Sequence, residues 1–455
     1  MSDSYRPHPI DAKLAGVLPP GALFAVGGRV RDELRGRAVE DDLDYLVTGV
    51  PLTDLTERLE RLGRVDVVGA SFAVVKLTLD GITVDVALPR RERSTGSGHR
   101  DFAVEAGPDV SVADDLSRRD FRMNMIARSL PGGELVDPYG GAADIAASRI
   151  SILTPETFEE DPLRLLRAGQ FAARFGYTPD DATKAAMHGA APLVATVSAE
   201  RIAEELSKLL RLAPAPSVGL ELLRETGVLA HVWPELLEGV GVEQNEWHAY
   251  DVWGHAMHAV DAVPPGDLID RLSALLHDVG KPRTKDGPHF YKHEHVGAAM
   301  VREMLGRLRF SGETVETVEH LVREHMYNQD PGLSDAAIRR FIRRIGPDRL
   351  EHQFRLRCAD IDGSGLPKRD DSNERFQERV LAELARKPAF SVRDLAIGGE
   401  DVKAEMIRRG TVPSDYAGDE RVGAALRWLF EKVTDEPGRN DRSSLIRLLD
   451  QHFRS

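Results

Sequence analysis

The spacing of apolar positions changes near residue 155. Before it, short apolar runs alternate with helical spacings. Runs at 23–26, 42–47, 73–79 and 82–88 predict strands, and leucines at 52, 55, 59 and 62 predict a helix over 51–62. Gly81 after Asp80 predicts a tight hairpin turn between two alternating strands. Residues 90–113 have little periodicity, hold Gly96, Gly98 and Gly107, and predict a mobile loop. Beyond Pro155, apolar residues recur every three or four positions through 156–175, 199–212, 218–229, 252–263, 267–279 and 295–308, and helical spacing continues to the C-terminus. No period of 20–50 residues repeats, which excludes a repeat array. The expected architecture is an α+β head followed by an all-α body.

Composition narrows the class. With 42 % hydrophobic and 29 % charged residues among 455, the chain can bury ordinary cores. No apolar run reaches the roughly 20 residues a membrane span requires, and the polar start has no signal-peptide core, so a soluble cytoplasmic protein is expected. A single cysteine, Cys358, excludes internal disulfides and multi-cysteine metal sites. Sixty basic against 74 acidic side chains give −14, which argues against a general cationic coat but permits a local basic groove. Ten of the 15 histidines fall between His231 and His325, and that clustering directs attention to metal chemistry.

Two groups of residues carry chemistry. In the head, the first strand runs into Gly27-Gly28, which lets a backbone and a helix N-terminus approach an anion. Asp42 and Asp44 then share one face of the next strand, roughly 6.6 Å apart along it. Neighbouring carboxylates repel unless a cation lies between them, and oxygen ligands suit Mg²⁺. Asp85, alone among apolar residues on the second hairpin strand, supplies a third carboxylate. Three such groups holding two Mg²⁺ ions suit in-line nucleotidyl transfer, with Asp42, Asp44 and Asp85 as the catalytic set.

These residues, with others in order, resemble the class II tRNA nucleotidyltransferase/poly(A) polymerase family, whose head has a DNA-polymerase-β-like fold. Gly27-Gly28-Arg29-Val30-Arg31-Asp32 with Asp42-Leu43-Asp44 matches its first motif, and Arg118-Arg119-Asp120-Phe121-Arg122-Met123-Asn124 its second, with Arg122 where threonine is usual. Asp137-Pro138-Tyr139-Gly140-Gly141 with Asp144 matches the next, and Glu160-Asp161-Pro162-Leu163-Arg164-Leu165-Leu166-Arg167 the nucleobase-selecting motif. Ser198-Ala199-Glu200-Arg201-Ile202 follows. Asp41 and Ser94 stand where the family often has lysine and tyrosine. The resemblance implies nucleotide contacts at Gly27, Gly28, Arg31, Arg119, Asp120, Asn124, Asp161, Arg164 and Arg167. Asp161 and Arg164, three apart on an expected helix, would share a face. One only accepts hydrogen bonds and the other only donates, which matches cytosine and adenine and opposes uracil and guanine.

The second group is His255, His277-Asp278 and Asp360, with Gly280 as a C-cap and Pro282 as a stop after the helix carrying His277. Imidazole and carboxylate together suit Mn, Fe, Ni, Zn or Mg. This series resembles the HD phosphohydrolase superfamily, and the resemblance makes those four residues ligands of a divalent transition metal or Mg²⁺. Lys281, His293 and His325 fit positions that add a second metal or touch phosphate. Further on, Arg339, Arg340, Arg343 and Arg344 place paired arginines one turn apart, an expected RNA contact.

The expected organisation is a nucleotidyltransferase head (1–150), a helical neck (151–245), an HD domain (246–370) and a helical tail (371–455). The expected function is template-independent addition of C and A to tRNA 3′ ends from CTP and ATP, with fused phosphoester hydrolysis. The alternatives are a poly(A) polymerase, and an HD phosphohydrolase of 2′,3′-cyclic phosphates or 2′-phosphates whose head only binds RNA.

Overall fold

In a computed structural model, residues 5, 7–37, 43–68, 73–94, 102–367, 370–386 and 388–453 are described. The chain forms two compact units, Met1–Leu237 and Glu238–Ser455.

The first unit is built on a seven-stranded sheet. Its strands are β1 (Leu23–Val26), β2 (Asp44–Val47), β3 (Arg64–Val68), β4 (Val74–Leu79) and β5 (Ile82–Ala87), joined by β8 (Ala127–Ser129) and β9 (Leu135–Val136) in the order β3-β4-β5-β2-β1-β8-β9. Within this sheet, among the described residues, only β2 and β5 pair in parallel, and their register sets Asp44 directly beside Asp85. Alternation explains the orientation: Val84 and Val86 are buried, so the intervening Asp85 points from the other face. Asp80 (φ 53°) and Gly81 (φ 82°) make the expected hairpin turn, since both central residues of that turn need the left-handed region. On the side of Asp44, Leu46 packs with Val26, Leu116, Met125 and Ala127.

The α-helices of this unit, among the described residues, are α1 (Pro9–Val17), α2 (Gly28–Leu34), α3 (Leu52–Glu60), α4 (Val112–Ser117), α5 (Gly141–Ala146), α6 (Thr157–Glu160), α7 (Leu163–Phe175), α8 (Asp181–Ala190), α9 (Ala199–Leu212), α10 (Pro216–Glu225) and α11 (Pro234–Leu237). Three sequence expectations change. The stretch expected as a loop forms an antiparallel hairpin, β6 (Arg90–Ser94) with β7 (Phe102–Ala106), followed by α4; the charged run Arg90-Arg91-Glu92-Arg93 hid the strand. Residues 95–101 lie outside the described residues. The exposed edge strand β3 was also unmarked, because both of its faces are largely solvated. The helix expected over 156–175 is broken at Asp161, which is extended (φ −142°, ψ 98°). Pro162 forces that geometry, because its ring disfavours helical backbone in the residue before it.

The second unit is helical. Helices Val252–Ala262, Leu268–Leu276, His293–Arg307, Gly312–Arg323 and Leu350–Gly363 enclose the histidine cluster. Helices Gly399–Arg408, Glu420–Asp435 and Arg442–His452 share a separate core of Val402, Met406, Leu429, Val433, Leu445 and Leu449. Among the described residues, no helix is long and apolar enough to cross a membrane.

The arginines expected to contact RNA are engaged within this unit. Arg339 is buried, pairs with Glu383 at 2.6 Å and donates to the carbonyl of Asp435 at 2.9 Å. Arg340, Arg343 and Arg344 pair with Asp435, Glu431 and Glu324 at 2.8–2.9 Å. The stretch fastens helix Asp335–Ile345 to helix Glu420–Asp435 instead of presenting a free cationic face. Four carboxylates met in three dimensions cancel a charge pattern that is local in sequence.

Candidate active sites

The first site is a cavity of about 680 Å³ in the Met1–Leu237 unit, walled by Gly27, Gly28, Arg31 and Asp44 on one side and by α7 and α9 on another. Nine cationic and five acidic side chains line it, a local excess of four positive charges in a chain of −14. Such a lining suits a polyphosphate.

Glycine at 27 is dictated by the site. Its φ of 69° favours glycine, and a Cβ there would lie 2.8 Å from Arg119 Nη1. The gap brings the N-terminus of α2, the Arg119 guanidinium and the Asp44 carboxylate to one point. Arg119 is held by Asp115, a fully buried carboxylate that also accepts from Arg118 Nε (3.0 Å) and the Arg90 amide (3.2 Å). Sequence reasoning missed Asp115, although it lies just ahead of the paired arginines.

A continuous polar chain crosses the site. Arg31 forks onto Asp32 and donates to Asn124 Oδ1 at 2.8 Å. Asn124 donates to Asp120 at 2.7 Å, Asp120 also takes Arg167 Nε at 2.8 Å, and Arg167 lies 3.6 Å from Glu205. Burial opposes ionisation of Asp120, but Arg167, Asn124 and the Phe121 amide outweigh it and hold the carboxyl below its ordinary value.

Asp161 and Arg164 both line the cavity, although not as neighbours on one helix. Asp161 accepts the Leu163 amide and two bonds from Arg201, leaving acceptor capacity on a carboxylate with about four sites. Arg164 gives three bonds, to Thr157 O, Glu160 and Arg118 O, out of five donors. Asp85 sits beside Asp44 in the sheet but is half-exposed, lies 3.5 Å from Lys76 Nζ and does not line the cavity. Asp42 lies outside the described residues. Asp137 caps α5 through the Gly141 and Ala142 amides, and Asp144 is buried against Arg149 and Ser151, so these two shape the scaffold.

The second site, a cavity of about 620 Å³, lies over six metal-type donors. His255 Nε2 and His277 Nε2 face each other at 3.0 Å, with Asp278 Oδ2 and Asp360 Oδ1 both 3.2–3.6 Å from them. His293 Nε2 and His325 Nε2 face each other at 3.2 Å, with Asp278 Oδ1 at 3.3 and 3.7 Å. The two oxygens of Asp278 thus serve two separate imidazole pairs. His277, His293 and His325 each have Nδ1 against a backbone carbonyl, of Ala274, Phe290 and Val322, at 2.7–2.9 Å. Donation there leaves every Nε2 lone pair facing inward, the tautomer a metal ligand needs.

The donors fit divalent metal. Both Asp278 oxygens are buried and accept no well-directed hydrogen bond, although Lys281 Nζ lies 2.6 Å from Oδ2. Burial works against a charged His277, yet the carboxylates of Asp278 and Asp360 push its pKa up to about 10. The cage therefore demands positive charge, and mixed imidazole and carboxylate ligands suit a transition metal. Gly280 is no left-handed cap: the helix ends at Leu276, and a Cβ at 280 would lie 2.3 Å from the His293 carbonyl oxygen. Its absence lets the loop after His277-Asp278 approach helix His293–Arg307. His248, missed by sequence reasoning, stands with His255 and Asp360; burial, then Lys281 and His255, push it down to about 3, keeping it neutral.

Family comparisons agree with this division. The poly A polymerase head domain matches residues 23–151, a probable RNA and SrmB-binding site of polymerase A matches 176–239, and an HD domain matches 248–361. A multifunctional CCA protein of Nitrosococcus oceani is 35 % identical over 384 residues, covering 80 % of this chain and 92 % of that protein. Its counterpart in Verminephrobacter eiseniae is 33 % identical over 428 residues, covering 90 % and 99 %. Among solved structures, the Bacillus stearothermophilus CCA-adding enzyme in complex with CTP matches with a TM-score of 0.66 at 22 % identity, over 95 % of this chain and 93 % of the other. The Thermotoga maritima CCA-adding enzyme complexed with tRNA matches with a TM-score of 0.56 at 19 % identity, over 98 % and 96 %. At these identities the structural matches establish fold.

Proposed function

The chain belongs to the multifunctional CCA protein family, and from that premise we propose that it is a nucleotidyltransferase adding C and A to tRNA 3′ ends from CTP and ATP. The observation that carries this reading is the cavity in which Asp44, the Gly27-Gly28 turn and a cationic lining meet. Asp44 and Asp85, adjacent in the sheet, offer the hard oxygen donors Mg²⁺ prefers, with Asp42 two positions before Asp44 in sequence. Divalent ions bound there supply charge for the triphosphate and acidify the attacking hydroxyl.

The chain's own residues do the remainder. The α2 amides and Arg119 hold phosphate at the glycine turn. The chain from Arg31 to Arg167 keeps two guanidiniums fixed, so no reorganisation is needed when charge develops. The unused acceptor of Asp161 and unused donors of Arg164 receive the base: an amino group beside a ring nitrogen satisfies both, whereas uracil and guanine would leave them unpaired. The second unit adds metal-dependent hydrolysis of a phosphoester: His255, His277, Asp278 and Asp360 would hold one ion, and Asp278, His293 and His325 another. Neutral His248 and the pinned Lys281 ammonium face the substrate cavity above them.

Transcripts lacking the whole CCA end, lacking only the final A, or complete, each incubated with single nucleoside triphosphates, test the first activity. Extension of the first transcript by C and of the second by A is expected, and loss of both in Asp44→Asn. An enzyme that extends neither transcript, or an Asp44→Asn variant with wild-type incorporation, overturns the assignment.

A further inference from the structure

A cluster of arginines with few carboxylate partners lies at the first cavity. Arg31 lies over Phe171 (5.4 Å) and Phe175 (4.6 Å), and Arg35 over Phe175 (3.8 Å) and Tyr177 (5.5 Å). Arg174 lies over Phe175 as well, at 5.2 Å, and lines the cavity. Arg31 on α2 and Arg35 just past its end therefore meet the aromatic residues at and just beyond the end of α7. Three guanidiniums, of Arg31, Arg35 and Arg174, gather over Phe175, with the Asp32 carboxylate paired to two of them. Asp32 pairs with Arg31 and Arg35, while among the described residues no carboxylate pairs with Arg174 or Arg37. Arg174 feels the crowding: burial and the neighbouring arginines pull its pKa down. Concentrated unpaired guanidinium charge on an aromatic support, in a chain of −14, is a site for an anion.

Which anion follows from position. The triphosphate belongs at the Gly27-Gly28 end of α2, and Arg35 lies seven residues, roughly 10 Å, further along that helix. Arg174 is likewise seven residues beyond Arg167 on α7. A second run of phosphates must approach that point. We propose that Arg174, supported on Phe175 with Arg35 beside it, binds the phosphodiester backbone of the RNA strand whose 3′ end is extended. The proposal rests on the nucleotidyltransferase reading.

The test compares the full-length protein with Arg174→Gln and Arg174→Lys, measuring affinity for a tRNA transcript lacking CCA across salt concentrations, affinity for CTP, and melting temperature. Arg174→Gln is expected to weaken tRNA binding about tenfold at low salt and to reduce the salt slope by about 0.7–0.9, one phosphate contact. CTP affinity falls less than tRNA affinity, melting temperature stays unchanged, and lysine restores the slope. Unchanged tRNA affinity and slope in Arg174→Gln overturn the proposal while the function stands. A fall in CTP affinity alone makes the ligand the triphosphate and also overturns it. Wild-type protein that binds no tRNA removes the functional reading itself.

Discussion

Replacing Asp120 by asparagine tests the polar chain that fixes the first site. The carboxylate accepts from the Phe121 amide (2.9 Å), Asn124 Nδ2 (2.7 Å) and Arg167 Nε (2.8 Å), and its residue is only 8 % exposed. Asparagine keeps the volume but turns one acceptor into an NH₂ group, which must face either Asn124 or the Arg167 fork. One hydrogen bond to a charged group is lost, worth about 1.5–3 kcal/mol. Arg167 is 34 % exposed at its side chain and keeps Glu205 at 3.6 Å, so the lower part of that range, about 1.5–2 kcal/mol, applies to stability. For a unit of this size each kcal/mol shifts the melting point by about 2–4 °C, so its calorimetric transition falls by about 3–8 °C. Freed Arg167 and a turned Asn124 both misplace cationic groups, and at 1.4 kcal/mol per tenfold the full range predicts CTP incorporation into a CCA-less transcript about 10–100-fold slower. The pH dependence has a fixed sign. Asp120 has a folded pKa below its ordinary 3.8, so its stabilisation is complete above that value and lost as pH falls through the lower folded pKa. The wild-type advantage over Asp120→Asn is therefore constant near neutrality and shrinks only below pH 3.8. A variant melting within about a degree of wild type and incorporating CTP at full rate would refute the claim that this chain positions the site.

Gly27→Ala places a Cβ 2.8 Å from Arg119 Nη1 at a φ of 69°. It should cost about 1–3 kcal/mol in melting experiments and slow incorporation of both nucleotides, whereas full activity would show Arg119 to be dispensable there. In the second unit, elemental analysis after dialysis should find two divalent ions per chain in wild type and one in His293→Ala. Asp278→Ala, which removes a donor from both imidazole pairs, should retain less than one, with C and A addition intact. Arg339→Ala leaves the buried Glu383 carboxylate with Arg386 alone (2.8 Å) and should destabilise the second unit by about 1.5–3 kcal/mol with tRNA affinity unchanged; weaker tRNA binding at unaltered stability would restore these arginines to an RNA role.

What the sequence made legible were residues whose chemistry constrains a short window. Gly27-Gly28, Asp44 and His277-Asp278 are readable because backbone approach, a strand position or adjacent donors must be encoded within a few positions. What it hid were relations between distant elements. Asp85 reads as a third carboxylate, but its place beside Asp44 and opposite Lys76 is set by strand pairing that the sequence does not show. Asp161 and Arg164 read as one helical face until Pro162 ends the preceding turn, and four arginines read as an RNA patch until four carboxylates neutralise them.

The histidine cluster shows why spacing alone could not resolve the second site. Ten histidines in one stretch announce metal, but ligand count follows from which ring nitrogens face inward. That is set by three backbone carbonyls, each belonging to the residue three positions before its histidine. Once the three rings are fixed, Asp278 becomes the decisive group, because one buried carboxylate has two oxygens and each meets a different imidazole pair. The geometry thus offers Asp278 as a donor to both pairs, and the loop can reach them only because residue 280 has no side chain to strike the His293 carbonyl.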